Sequence, residues 1–271
     1  MTKSAIIGVA LVGLVGLGAI LAGWLAPHDP LAQDLSLGLR PPLSAAFPLG
    51  SDSLGRDLLS RILFGARVSL AIGVSAVLVQ GSLGTLLGLL AGYIGGTADM
   101  AIMRLADLQL SIPPLILAIG VMAVVGPSVA NLILILGVAG WPYYARLVRS
   151  EVLSLRQREF IEAARCIGCR DSGILLRHVL PNVAASLIVL ATFFVPLMII
   201  QEAVLSFVGL GVPPSVPSWG SMVADGRDFL STAWWIATLP GLAIFATVVG
   251  INLVGDWLRD VLDPRQAIHY T

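Results

Sequence analysis

Lysine is almost absent from this sequence: Lys3 is the single one in 271 residues. A P-loop needs a lysine at the nucleotide phosphates, so the chain has no Walker A motif. Cysteine is also scarce, and Cys166 and Cys169 supply at most two of the four ligands of a structural zinc site. The three histidines are scattered along the chain. We therefore expect no metal site and no bound cofactor in this chain.

Recognisable catalytic patterns are missing as well. The sequence contains no nucleophile elbow, no HExxH helix and no paired-carboxylate site, so we expect a protein that is not an enzyme. Its formal net charge is zero, which gives no indication of nucleic acid as a partner. Charged residues make up 12% of the chain and hydrophobic residues 57%, whereas soluble domains carry about 25% charged residues. The composition therefore indicates an integral membrane protein.

Six stretches are long and apolar enough to cross a bilayer, which takes about 20 residues of helix. They lie near residues 4–26, 68–92, 100–125, 129–147, 183–208 and 235–256. The first is not expected to be a cleaved signal peptide, because its apolar run from Ala5 to Ala22 exceeds the about 7 to 15 residues of a signal h-region. The predicted fold is all-helical, with six transmembrane helices.

Arginines concentrate between the fourth and fifth spans, and this predicts the orientation. Seven lie in that loop and its margins: Arg146, Arg149, Arg156, Arg158, Arg165, Arg170 and Arg177. By the positive-inside rule the loop is cytoplasmic, and six spans then place both termini on the same side. Segment 27–67 lies outside in this arrangement, although it holds four arginines that are matched by four aspartates.

Glycines and prolines indicate how the spans pack and bend. A ladder at four-residue spacing consists of Gly84, Gly88, Gly92 and Gly96. Such a ladder lets another helix backbone approach closely, so it predicts a packing face. Pro113 and Pro114 in the third span, and Pro196 in the fifth, are expected to kink or break their helices.

An amphipathic helix is predicted between the fourth and fifth spans, and we refer to residues 159–182 as the charged segment. Its predicted apolar face holds Phe160, Ala163, Ala164 and Ile167, opposite Glu159, Glu162 and Arg165. Gly168 is expected to end this helix, and Asp171 to cap a second short helix that runs through Leu180. Such a segment either lies on the anionic inner leaflet or docks into a groove on a cytoplasmic protein, and its small residues favour docking.

Several motifs resemble one family. The charged segment resembles the EAA loop of ABC importer permeases in the order Glu162, Ala163, Ala164, Gly168, Leu180 and Pro181. Residues 47–70, 202–222 and 252–265 are similar to signatures of the peptide and nickel branch of these permeases. The resemblance implies an all-α integral membrane subunit with the type I ABC importer permease fold, in the bacterial inner membrane. It also implies that the charged segment holds a coupling helix that docks into an ATPase subunit.

The resemblance further implies partners and cargo. The partners are a second homologous permease in a heterodimer, two cytoplasmic ATPase subunits that bind ATP and Mg²⁺, and an external substrate-binding protein. The expected cargo is di- or oligopeptides, with nickel or opine-type solutes as the alternative. A secondary transporter is the competing class, but it needs ionisable groups deep in the membrane, and the sequence has few of them.

Glu202, with Gln201 beside it, is the best candidate for a charge inside the membrane. A carboxylate at mid-bilayer costs about 2.5 to 3.5 kcal/mol, so Glu202 should face a polar cavity or a partner. It either lines the translocation path or makes a fixed salt bridge or hydrogen bond to the second permease, and the second interpretation is favoured. Arg104 and Asp107 are expected to pair with each other near the cytoplasmic mouth.

Two outer segments are candidates for contact with the binding protein. Residues 54–63 suit an amphipathic helix at the membrane interface, with Arg56 and Asp57 on its polar side, and the alternative is a simple lead-in to the second span. Residues 211–221 are expected to form a stiff loop that places the Trp219 indole at the headgroup level, and the alternative is a rigid connector.

Three parts are expected along the chain. They are an anchor helix with the outer segment over residues 1–66, the permease core over residues 67–256, and a cytoplasmic tail over residues 257–271.

Overall fold

The structure is a computed structural model, described here for residues 3–44 and 46–262. Within these ranges the α-helices are α1 (Lys3–Ile20), α2 (Ala22–Leu25), α3 (Leu58–Ile94), α4 (Gly96–Leu110), α5 (Pro114–Val125), α6 (Val129–Leu155), α7 (Glu159–Cys166), α8 (Asp171–Ile174), α9 (Leu180–Phe207), α10 (Trp219–Gly226) and α11 (Trp235–Leu262). A π turn over Leu175–Val179 joins α8 to α9, and short 3₁₀ turns cover Leu35–Leu37 and Arg227–Phe229.

Five helices of the described residues are long and apolar enough to cross a membrane, and a bent pair raises this number to six. The pair is α4 and α5, which meet at 82°. Proline causes the break, because Pro113 and Pro114 lack the N–H groups that would continue the helix. The six predicted spans are confirmed in this sense, and the third is broken where the sequence indicated. Pro196 does not end its helix, since α9 continues through it.

The glycine ladder forms the seam between α3 and α6. A Cβ added at Gly84 would lie 2.5 Å from the Trp141 carbonyl oxygen, and one at Gly88 would lie 2.6 Å from that of Ala145. Such distances are too short for any side chain, so these positions must be glycine for the two backbones to approach this closely. The packing face is thus confirmed and lies within one chain. Gly96 is outside the seam and instead begins α4 with a φ of 57°.

The N-terminal helix α1 packs along α11 rather than standing apart. A Cβ at Gly8 would lie 2.8 Å from Leu253 Cβ, and one at Gly250 would lie 2.9 Å from Leu11 Cβ. On its other side α1 exposes apolar side chains, and Leu14 is 72% exposed. A helix that is apolar on every side is typical of a membrane span.

The outer part of the second span differs from its prediction. Residues 58–63 do not form a separate interfacial helix, since they are the first turns of α3, which is 37 residues long. Asp57 caps α3, and its side chain accepts a hydrogen bond from the Ser60 N–H at 2.9 Å. The predicted division at residues 66 and 67 therefore falls inside α3. The division at residue 257 falls inside α11, and residues 263–271 of the predicted tail lie outside the described ranges.

The second short helix of the charged segment is also not separate. From Asp171 the chain is helical to Phe207, through α8, the π turn and α9. Pro181 stands at the start of α9 without ending the helix. A π turn changes the backbone pairing of the preceding carbonyls, which accommodates the N–H that proline lacks. The N-cap of α8 is Arg170, and Asp171 is the first helical residue.

Candidate functional site

The helix α7 of the charged segment has one face toward its own chain and one toward the outside. Ile161 and Ala164 are buried at 0% and 5% exposure, in a cluster with residues of α6 and α9 such as Val152 and Val183. On the other side the structure leaves Phe160, Ala163, Glu162 and Ile167 exposed, with Ile167 at 81%. The predicted division into two faces is therefore wrong: Ile161, which was not on the predicted apolar face, packs inward with Ala164, and the other three apolar residues share the exposed side with Glu162.

Gly168 ends α7 in a Schellman motif. The Cys169 N–H donates to the Ala164 carbonyl at 3.0 Å, and the Gly168 N–H donates to the Arg165 carbonyl at 3.0 Å. Gly168 has a φ of 82°, a conformation that residues with a Cβ adopt at a cost. The predicted helix end at Gly168 is therefore confirmed. Cys166 and Cys169 are both free and exposed in this turn.

Tyr93, in the last turn of α3, touches both arms of the charged segment. Its hydroxyl donates to Asp171 Oδ1, and the Arg165 guanidinium lies over its ring at 5.5 Å from the centroid. Hydrogen bonding to Tyr93 also raises the pKa of Arg165 above its ordinary value. Sequence reasoning missed Tyr93, because an isolated tyrosine at the end of a span looks like a headgroup-level aromatic.

Ion pairs fasten neighbouring helices at the same end of the bundle. Arg149 of α6 pairs with Asp99 of α4, and its Nη2 donates to Asp99 Oδ2 at 2.6 Å. Asp107 accepts from Arg146 Nη2 at 2.5 Å. The predicted pair of Asp107 with Arg104 is therefore wrong: the partner of Asp107 comes from α6.

At the opposite end of the bundle, four charged residues form what we call the ion cluster: Asp52, Arg56, Arg61 and Asp225. Asp52 Oδ2 accepts from Arg56 Nε at 2.6 Å and from Arg61 Nη1. Both guanidinium groups also donate to Asp225 Oδ2, each at 3.2 Å. The cluster ties the segment before α3 to α10. Asp52, Arg56 and Arg61 are buried, so the loss of one charge would leave its partners without compensation away from water.

The residues predicted to meet a binding protein lie inside this end of the molecule. Arg56, Asp57 and Trp219 are 6%, 1% and 1% exposed. The Trp219 indole donates to the Ile62 carbonyl at 3.0 Å, so it packs on α3 inside the chain. The predicted contact is wrong for these three side chains, because each has its hydrogen-bonding and packing partners within the chain.

Glu202 lies in a hydroxyl cage. Its Oε1 accepts from Ser206 Oγ at 2.7 Å and from Ser218 Oγ at 2.9 Å, and Ser69 Oγ lies 3.4 Å from Oε2. Glu202 is 0% exposed, and these bonds join α9 to α3 and to the N-cap of α10. The structure places Glu202 in a hydrogen-bonded interior of its own chain rather than on a path surface, and Gln201 is partly buried beside it.

The broken bundle of membrane-length helices is shared with solved transporter structures. A chain of the MetNI methionine ABC transporter, in an inward-facing conformation, superposes with a TM-score of 0.59 at 20% identity, over 75% of this chain and 96% of that one. A chain of an amino acid ABC transporter gives a TM-score of 0.56 at 12% identity, over 74% and 94% of the two chains. The fold therefore defines the class: a multi-pass membrane subunit with the type I ABC importer permease fold.

Sequence comparison gives the family. Residues 84–268 match the family described as binding-protein-dependent transport system inner membrane component. Residues 2–42 match the N-terminal TM domain of oligopeptide transport permease C. The chain belongs to the family of binding-protein-dependent transport system inner membrane components.

Curated relatives cover nearly the whole chain. The di/tripeptide transport system permease protein DppC of Pseudomonas aeruginosa is 43% identical over 268 residues, which are 97% of this chain and 88% of that protein. The probable D,D-dipeptide transport system permease protein DdpC of Escherichia coli is 42% identical over 94% of this chain and 85% of its own. The glutathione transport system permease protein GsiD of Pectobacterium atrosepticum is 47% identical over 91% and 82%.

Proposed function

We propose that the chain is the permease subunit of an ATP-driven importer for di- or oligopeptides. The observation that supports the coupling role is the division of α7 into a face packed on α6 and α9 and a face left open. An amphipathic helix whose outer face carries exposed apolar groups next to charges is suited to a protein groove. The named peptide permeases among the relatives support the cargo.

The proposed assembly contains a second homologous permease, two ATPase subunits that bind ATP and Mg²⁺, and an external substrate-binding protein. In this assembly the charged segment and both termini are cytoplasmic, in agreement with the arginines around the segment. The ion cluster then lies on the outer side. Energy reaches the permease only through contact, because the sequence has no Walker A motif.

Coupling begins at the open face of α7. Closure of the ATPase subunits moves the docked helix, and the buried contacts of Ile161 and Ala164 pass this movement to α6 and α9. Tyr93 passes it to α3, because it contacts the segment on both sides of the Gly168 turn. The two permeases then rock between inward-open and outward-open states.

Substitutions at Gly168 test the coupling role. Gly168→Val forces a β-branched residue into a positive φ, so we expect at least a tenfold loss of transport per ATP hydrolysed in the reconstituted complex. Gly168→Asn is the matched control, because asparagine tolerates this conformation, and it should keep most of the transport. Glu162→Lys should uncouple like the valine variant, since it reverses a charge on the open face. Normal transport by Gly168→Val and Glu162→Lys together would contradict the coupling role.

The cargo is tested by uptake into proteoliposomes that contain the complete importer and its binding protein. We expect ATP-dependent uptake of radiolabelled dipeptide that survives a protonophore. Uptake of Ni²⁺ or an opine in place of peptide would overturn the cargo. Uptake that persists without ATP and collapses with the protonophore would instead identify a secondary transporter.

A further inference from the structure

A cavity of about 490 Å³ opens beside the ion cluster, at the end of the bundle opposite the charged segment. It lies where α3 begins and α9 ends, and the loop after α9 forms part of its wall. Its lining combines apolar side chains, among them Leu54 and Phe207, with charged groups of both signs. Its volume is within the range of small-molecule sites, about 300 to 1,000 Å³.

Buried ion pairs hold the two arginines at the wall of this cavity in place. The side chains of Arg56 and Arg61 are 7% and 3% exposed, and Asp52, which accepts from both, is 1% exposed. Groups fixed in this way pay little reorganisation when a ligand arrives. Their side chains are nearly buried at the wall of the cavity, so a small solute that enters it can approach them. The cavity therefore suits a small ligand.

Two further charges face the opening. Asp225 accepts both guanidinium bonds on Oδ2, and 43% of its side chain is exposed. Arg227 lines the cavity with 53% of its side chain exposed, and its guanidinium lies 5.6 Å from the Phe207 ring centroid. Its ion pair with Asp228, at 3.4 Å, is between exposed groups and thus weak. The cavity offers one accessible carboxylate and one accessible guanidinium.

We propose that this cavity is a peptide-binding subsite of the permease, in which Asp225 receives the terminal ammonium and Arg227 the terminal carboxylate of a short peptide. The class of ligand rests on the proposed function. A zwitterionic peptide carries these two charges at its ends, and each would form charge-assisted hydrogen bonds, which are stronger than neutral ones. The three guanidinium groups repel a bare metal cation, whereas in a zwitterionic peptide the terminal carboxylate offsets the repulsion that the ammonium meets.

Equilibrium dialysis tests the subsite on the assembled complex in nanodiscs, without the substrate-binding protein. The probes are radiolabelled alanyl-alanine and N-acetyl-alanyl-alanine. In the wild type, acetylation should weaken binding about tenfold, the effect of one lost charge-assisted hydrogen bond. Asp225→Asn should bind both probes alike, and its amide oxygen can still accept from the two arginines. Asp29→Asn, which removes an exposed carboxylate outside the lining, is the matched control and should keep the preference.

A second arm keeps the test decisive if Asp225→Asn fails to assemble on size-exclusion chromatography. Arg227→Gln should lose the preference of the wild type for alanyl-alanine over alanyl-alanine amide. The proposal fails if both variants keep the wild-type preferences, or if the wild-type complex binds neither dipeptide. It also fails if the variants keep the wild-type peptide preferences and change only the dissociation rate of the substrate-binding protein, measured separately with that protein added, since the cavity is then its docking site.

Uptake by the wild-type importer separates this proposal from the proposed function. Uptake of alanyl-alanine together with an unaltered preference in the variants overturns the subsite alone. Absence of any peptide uptake overturns the proposed cargo.

Discussion

Three serine hydroxyls surround the Glu202 carboxylate, and each comes from a different part of the chain. Ser69 belongs to α3, Ser206 to α9 and Ser218 to the N-cap of α10. This arrangement makes Glu202 a junction of three elements. Hydrogen bonds to a buried group are costly to lose, because the remaining partners keep their desolvation penalty.

We expect Glu202→Ala to destabilise the protein by about 1–3 kcal/mol through the orphaned hydroxyls, and Glu202→Gln to cost less because its carbonyl oxygen still accepts. Thermal unfolding in detergent measures this difference. Both variants should keep the cargo preference of the wild type in uptake assays. A changed preference with unchanged stability would instead return Glu202 to the translocation path.

The residue type alone singled out Glu202, but it did not predict which side chains surround the carboxylate. Its serine partners are 133, 4 and 16 positions away, and serines are too common for such a set to be recognised in one sequence. The same limit applies to Arg56 and Asp57, which look like surface charges. Arg56 is buried against Asp52, four residues away, and against Asp225, which tertiary folding brings to it. Asp57 is buried as the cap of α3, beside Ser60.

At the scale of elements, the charged segment is anchored by α3 as well as by the helices that flank it. The Tyr93 hydroxyl contacts Asp171, and its ring lies under Arg165. These contacts are near the surface, so their effect on global stability is small. Their proposed effect is on the position of α7 relative to α3.

A double-mutant cycle tests this positioning role. Tyr93→Phe and Asp171→Ala should each lower transport per ATP hydrolysed about threefold, and the double variant should be no worse than either, because both remove one hydrogen bond. With Tyr93 unchanged, Asp171→Asn should couple like the wild type, because its amide oxygen still accepts the hydrogen bond of the tyrosine hydroxyl. The melting temperature should stay unchanged throughout. Additive effects in the cycle would rule out a shared contact.

The helices and the glycine packing face were largely predictable. The start of α3 and the continuity of α8 with α9 were not. Apolar length located the spans, and glycine spacing located the seam of α3 and α6. Proline predicted the break at Pro113 correctly, but Pro181 stands within a continuous helix. The difference is a π turn, which depends on backbone pairing that a residue pattern does not reveal.

At the scale of the whole molecule, the ion cluster joins the segment before α3 to α10. Removing Asp52 would leave two buried guanidinium groups with a single half-exposed carboxylate. We expect Asp52→Ala to cost about 3–5 kcal/mol, the usual effect of breaking a buried pair from one side. Asp228→Ala, which breaks an exposed pair, should cost less than about 1 kcal/mol. Thermal unfolding of both variants in detergent gives the comparison, and equal costs would show that the cluster contributes little.

The length of α3 has a consequence for how the protein can change in evolution. One uninterrupted helix carries Arg61 near its start and Tyr93 near its end, about 48 Å apart along the axis. The glycine seam holds its second half against α6 with no room for side chains at those positions. The two ends are therefore not independent modules: a substitution that displaces α3 at the Tyr93 end also meets the packing constraints of the Arg61 end.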